Sequence, residues 1–178
     1  MATIDLIVLG MLKKDSMSAY DIQKLVEYRN ISKWVKISTP SIYKKVIQLE
    51  GKGLIQSTPV KEGNMPEKAV YSLTDSGQQE FERLMLELSA QPIRIFLDFN
   101  AVIVNLDSLP SEMQKSCIAG IEKNVREMKS YLEENLRAKE NVPEVPEIGM
   151  AVLRQQYVLA EAIENWINSL KESLKVDE

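Results

Sequence analysis

Between Glu27 and Glu50 the chain has no acidic residue, yet Arg29, Lys33, Lys36, Lys44 and Lys45 fall inside that interval. At its centre stands Thr39-Pro40-Ser41-Ile42-Tyr43-Lys44-Lys45-Val46-Ile47-Gln48-Leu49-Glu50. Hydroxyls, an amide and ammonium groups within one helix length are the groups that bond phosphate oxygens and base edges. Ile42, Val46 and Leu49 recur at helical spacing and form a core-facing stripe, which leaves Ser41, Tyr43, Lys44, Lys45 and Gln48 for the other faces. Thr39 is the expected N-cap, with Pro40 at the first helical position, where its missing N–H costs nothing. A solvated lysine-rich face is the plainer alternative. Tyr43 has the alternative of packing beside a hairpin, and Tyr20 is divided between core and phosphate.

Other chemistries are poorly supplied. Histidine is absent and Cys117 is the single cysteine, so the commonest general base, the commonest zinc ligand, a thiolate cluster and an intrachain disulfide are all excluded. The seven glycines are scattered and form no phosphate-binding loop. Neither an enzyme nor a cofactor nor a metal is expected, and Cys117 is read as a small packed residue.

The net charge of −4 divides unevenly, +1 over residues 1–89 and −5 over residues 90–178. A local basic field in an acidic protein suits a surface that faces a polyanion. Hydrophobic residues at 44% and charged residues at 27% are ordinary for a globular chain. No apolar run approaches the ~20 residues that span a bilayer, and the first residues lack a charged leader. A cytoplasmic protein with no membrane association is expected.

The elements that must position the basic helix are legible on both sides of it. Ile4, Leu6, Ile7, Leu9, Met11 and Leu12 predict a short apolar helix. Ser18 can cap a second helix containing Tyr20, Ile22, Leu25 and Val26. Gly51 and Gly53 end the third helix, and Leu54–Thr58 and Lys68–Leu73 read as two strands, with Ala69, Tyr71 and Leu73 alternating inward. The connection between them, with Gly63, Asn64 and Pro66 and flanked by Lys61 and Lys68, reads as a mobile hairpin tip. Thr74 then caps a helix through Phe81, Leu84, Met85 and Leu88.

This order is that of a winged helix-turn-helix. Three segments, LIVLGMLKKDSMSAYDI, STPSIYKKVIQLEGKGLI and VYSLTDSG, are similar to the first helix, the S-x-Y recognition helix and the Leu-Thr-x-x-Gly wing exit of the PadR family of transcriptional regulators. The resemblance covers about residues 3–85. It departs from the family at Ala19, where glycine is usual, and at Lys44, where proline is frequent; the second departure alters the outward face of the helix. The resemblance implies a DNA-binding regulator that dimerises through C-terminal helices, and a class of aromatic or hydrophobic effectors.

From Pro92 the character changes. Ile93, Ile95, Phe96, Phe99, Val102, Ile103 and Leu106 predict an apolar helix, broken at Leu109-Pro110. Ile118, Ile121, Val125, Met128, Leu132 and Leu136 make a narrow seam through a charged helix, as in helical bundles. A stiff linker, Asn141–Pro146, leads to a last helix with Leu153, Tyr157, Ala160, Ile163, Ile167, Leu170 and Leu174 on its apolar side. Such seams call for a second subunit. Phe96, Phe99 and Trp166 are candidates for an effector pocket, with ordinary core packing as the alternative.

The expected fold is mainly α. Residues 1–89 form a winged helix-turn-helix domain with a two-stranded β-wing, and residues 90–178 form a helical dimerisation domain. The expected function is a homodimeric repressor that binds double-stranded DNA at an inverted repeat. Its contacts are expected from Tyr20, Lys36, Thr39, Ser41, Tyr43, Lys44, Lys45, Gln48, Lys61 and Lys68. A winged-helix protein-interaction module and a small-molecule sensor without DNA are the alternatives. The first would carry acids on the outer face of the third helix.

Overall fold

The computed structural model describes residues 2–61, 67–143 and 145–174. It divides into two compact units, Met1–Arg94 and Ile95–Glu178.

In the first unit, α1 (Ala2–Leu12) buries Ile4, Val8, Leu9, Met11 and Leu12. It is apolar nearly all round because α3, α4 and the sheet all pack on it. A short strand, β1 (Met17–Ser18), leads into α2 (Ala19–Tyr28). Ser18 and Asp21 form a reciprocal capping box: the Asp21 N–H donates to Ser18 Oγ at 3.2 Å, and Asp21 Oδ2 accepts from the Ser18 hydroxyl at 2.6 Å and its N–H at 3.2 Å. The Ser18 hydroxyl is the main cause holding the Asp21 carboxyl below the usual carboxylate range; partial desolvation opposes it, while the Ser18 N–H and the Lys68 charge add to it. A depressed folded pKa means that this cap stabilises α2 at neutral pH and loses its contribution as the pH falls through the lowered value.

Asn30 takes a left-handed conformation, φ 51°, where the chain leaves α2 for a 3-10 turn at Ile31–Lys33. Next comes α3 (Ser41–Gly51), which buries Ile42, Val46 and Leu49, the predicted stripe. The Thr39 cap is not formed. Thr39 and Pro40 lie in a turn, Pro40 occupies the cap position in helical conformation, and no side chain caps the helix. Backbone bonds replace the hydroxyl, Ser41 N–H to Ser38 O at 2.9 Å and Ile42 N–H to Thr39 O at 3.1 Å. The far end closes on Gly53 at φ +70°, with the Leu54 N–H reaching back to Leu49 O at 3.0 Å.

The wing strands are β2 (Ile55–Val60) and β3 (Lys68–Leu73). They are antiparallel, with Ile55 opposite Leu73 and Val60 opposite Lys68. The expected two-stranded wing is part of a three-stranded sheet in the order β1-β3-β2, because Met17 and Ser18 pair with Tyr71 and Val70. Within β3, Tyr71 and Leu73 pack on the core but Ala69 is exposed, since its partner Pro59 lies in the outer part of the hairpin. The predicted tip residues Gly63, Asn64 and Pro66 lie outside the described residues.

Last in this unit is α4 (Asp75–Ser89), capped by Thr74, whose hydroxyl accepts from the Gly77 N–H at 3.0 Å and donates to Gly53 O at 2.8 Å.

In the second unit the predicted apolar helix from Ile93 is not found. Residues 92–97 have no regular structure, and only α5 (Asn100–Ile103) and a 3-10 turn at Leu106–Ser108 follow. Phe96 is 82% exposed and Ile95 is exposed as well, so the segment has no apolar contact surface to repay the cost of ordering a helix. Pro110 precedes α6 (Ser111–Lys139), which pairs with α7 (Glu147–Leu174). Lys129 bonds Glu164 at 2.6 Å and Lys171 lies 3.5 Å from Glu122, so the two helices run antiparallel. Leu106, Ile118, Val125 and Ile167 form the buried cluster of this unit, with Cys117 packed at its edge. Met128 of the predicted seam is exposed.

Gly77 shows how tightly the start of α4 is set. A Cβ there would stand 1.9 Å from the Leu54 carbonyl oxygen and 2.8 Å from Leu73 Cδ1. Backbone, not a flexible side chain, occupies the space. Gly77→Ala is expected to destabilise the first unit by about 3 kcal/mol, the upper end for overpacking. Urea unfolding in a Trp166→Phe background, with Trp34 as the reporter, measures this; a loss under ~0.5 kcal/mol contradicts the close approach.

Candidate nucleic-acid interface

Burying Ile42, Val46 and Leu49 decides which residues of α3 point outward. Tyr43, Lys44, Ile47 and Gln48 are exposed, at 43% for Tyr43 and 65% for Ile47. Ser41 and Thr39 are half-buried at the head of the helix, and Lys36 is exposed in the loop before it. The single acid of α3, Glu50, turns to the wing, where its Oε1 accepts from the Ser57 N–H at 3.1 Å. It also lies near Tyr71, whose phenol is pushed up chiefly by burial and further by the Glu50 charge. The outer face of α3 therefore carries cationic, hydroxyl, amide and apolar groups, and its carboxylate serves the sheet.

Tyr20, in the first turn of α2, is 56% exposed and joins this surface. The Lys24 ammonium lies 5.5 Å from the Tyr20 ring centroid. Its pKa is raised, first by the hydrogen-bonded Glu27 and then by the nearby Tyr20 and Tyr43 phenols. Tyr20, Lys24 and Tyr43 thus form a cluster contributed by two helices. Lys24 was not among the candidates, although its spacing one turn after Tyr20 was visible. Ile47 was also missed, because an apolar residue beside a core stripe reads as core.

The structure does not leave Lys45 outward as expected. Its Nζ lies 2.6 Å from Asp5 Oδ1 on α1, and both side chains are only 13% exposed. Asp5 Oδ1 is fully buried and the contact is a close ion pair without aligned hydrogen-bond geometry. The reason is position: Lys45 immediately precedes Val46 in the buried stripe and bends along α1, where it meets a carboxylate 40 residues earlier. Lys45 holds α3 onto α1, and Lys44 is the exposed cation of the pair.

The wing residues separate. Lys61 is exposed just beyond β2, whereas Lys68 is half-buried at the start of β3 and its charge reaches Asp21 at the head of α2. In the second unit Phe99 and Trp166 stack with ring centroids 5.8 Å apart, but Phe96 stands in solvent, so the expected trio is not assembled. A shallow cleft elsewhere in that unit is lined by Ile103, Leu106, Gln114 and Leu170 among others. No described helix is long and apolar enough to cross a membrane.

Residues 8–83 match the model of the PadR-like family of transcriptional regulators. Over 86 residues the chain is 31% identical to the negative transcriptional regulator PadR of Bacillus subtilis strain 168, an alignment that spans 48% of this chain and just under half, 46%, of that relative. The structure of Bacillus subtilis PadR in complex with operator DNA superposes with a TM-score of 0.80 at 22% identity, covering 93% of this chain and 96% of that one. Bacillus subtilis PadR in complex with p-coumaric acid gives a TM-score of 0.79 at 20% identity, over 98% and 96% of the two chains. At these identities the superpositions establish a common fold.

The different placements of the neighbouring lysines are separable by experiment. Lys45→Ala strands a buried carboxylate and is expected to cost about 3 kcal/mol of stability. Lys44→Ala should change stability by less than ~0.5 kcal/mol, as surface substitutions do. Pairing Lys45→Met with Asp5→Leu should restore most of the loss. Urea midpoints of the four proteins decide the matter; equal midpoints for Lys45→Ala and the parent chain would rule out the ion pair as a structural tie.

Proposed function

We propose that this chain, whose residues 8–83 match the model of the PadR-like family of transcriptional regulators, is a homodimeric repressor that binds double-stranded DNA at an inverted repeat. The observation that carries the reading is the outer face of α3: Tyr43, Lys44, Ile47 and Gln48 exposed, with Glu50 withdrawn to the wing. In this reading α3 enters the major groove, and Tyr20 in the first turn of α2 with Lys24 one turn on, together with Lys36, meets the flanking phosphates. Ser41 and Thr39 lie where the helix approaches the backbone, and Lys61 extends the positive surface to the wing. Lys68 contributes through its position beside α2. The protein acts in the cytoplasm, where its operator lies.

Dimerisation is supported by the apolar residues that the second unit leaves uncovered. Ile148, Val158, Leu159 and Trp166 on α7 and Met128 and Tyr131 on α6 are all exposed, more than an isolated helical hairpin would keep in water. Two copies meeting through α6 and α7 would present two α3 helices to successive grooves. The effector class carried by this reading is a small aromatic or hydrophobic compound. Bacillus subtilis PadR has been seen with p-coumaric acid, and the Phe99–Trp166 stack offers a fluorescent reporter of such binding.

Sedimentation should show a dimer at tens of micromolar, and Val158→Glu with Leu159→Glu should shift it to monomer. A parent chain that sediments as a monomer removes the second-unit part of the proposal.

For the DNA part, fluorescence anisotropy across a salt series on a duplex selected from a random library is the measurement. Lys44→Ala should reduce the slope of log K against log salt by about 1.8, one phosphate contact at each half-site of ~0.9. If the dimeric parent chain binds no duplex even at low salt, α3 is not a reading head, and a winged-helix protein-interaction module becomes the better account.

A further inference from the structure

Ile47 lies at the middle of α3 with 65% of its surface exposed, one turn on from Tyr43 and Lys44 and next to Gln48. Every other aliphatic residue of that helix, Ile42, Val46 and Leu49, is buried. The one carboxylate of α3, Glu50, is drawn to Ser57 of the wing, Glu27 of the neighbouring helix is paired with Lys24, and Ile47 lies in the acid-free interval that holds Lys36 and Lys44. That charge selects a polyanion as the occupant, so the apolar side chain at its centre must meet an apolar group offered by a polyanion. On the major-groove edges of double-stranded DNA there is one such group, the 5-methyl of thymine.

We propose that Ile47 is a specificity-determining residue that packs against a thymine 5-methyl group in each half-site of the operator. The inference rests on the reading of α3 as the DNA-facing helix and adds the base that it selects. A branched aliphatic side chain can exclude water from a thymine methyl but has no donor or acceptor for another base. It therefore favours thymine over cytosine at that position by contact with the methyl group, while Gln48 and Tyr43 remain available for hydrogen bonds.

The test uses the full chain and the best duplex recovered from a random library. Thymines are replaced by uracil one symmetric pair at a time, which removes only the 5-methyl group, and affinity is read by fluorescence anisotropy. For the parent chain, one pair of replacements should weaken binding about fifteenfold, from about fourfold for each buried methyl. Ile47→Ala should bind the thymine duplex about fifteenfold more weakly and be indifferent to that same uracil pair, while Ile47→Val keeps most of the discrimination. Since Ile47 is exposed, circular dichroism of both variants should match the parent. If the parent binds the duplex but no uracil effect depends on Ile47, the thymine contact is overturned while DNA binding stands. If the parent binds no duplex, both fall together, and that outcome is distinct from the first.

Discussion

Ile42, Val46 and Leu49 are almost completely buried, and the rest of the first unit is arranged to keep them so. They pack beneath α1 and α2 in one cluster with Val8, Leu9, Ile22, Val26 and Ile55. Burying aliphatic side chains of this size is worth about 1.5–3 kcal/mol each, which fixes the rotation of α3 about its axis more firmly than any polar contact on its surface. Once that rotation is set, the outward residues have no freedom of choice. Lys45, on the boundary of the stripe, adds a charge restraint through Asp5, so α3 is held to α1 by both apolar burial and an ion pair.

Local rules carried much of the fold. The capping residues Ser18 and Thr74 act within three residues of themselves, and both were legible because such caps depend only on a hydroxyl at the right offset. The inner stripe of α3 was legible for the same reason, its period being a property of the helix alone. One local reading failed, the Thr39 cap, because backbone bonds of a turn take the place of its hydroxyl; the other failures depended on distant partners. Lys45 faces a carboxylate on another helix, and its position on the flank of the stripe left either direction open. The pairing of Met17 and Ser18 with β3 is a contact across more than 50 residues, too short to leave a periodic signal. Around Ile93 and Phe96 hydrophobicity was read as helicity, but an apolar stretch forms a helix only where something covers it.

The second unit obeys a different logic. Its two long helices are tied by charge along their length, Lys129 with Glu164 and Glu161 and Lys171 with Glu122, around a small apolar cluster. The seam on α6 was visible, yet Ile118, Val125 and Leu132 are buried while Met128 is not. One helical hairpin can cover part of such a seam and no more. The acidic balance lies in this half of the chain, and the acid-free interval that contains α3 lies in the other.

The junction of Gly53, Leu54, Thr74 and Gly77 closes the base of the wing. The Thr74 N–H meets Leu54 O at 3.2 Å, the Thr74 hydroxyl meets Gly53 O, and Gly77 leaves room for the Leu54 backbone. The two ends of the hairpin are thereby fixed to each other whatever lies between them. Lengthening a connection whose ends are already pinned costs little, about 0.6 kcal/mol for each doubling. A change of length between Val60 and Lys68, such as an inserted reporter peptide, should therefore cost the first unit little stability and leave the elements on either side of the hairpin in place.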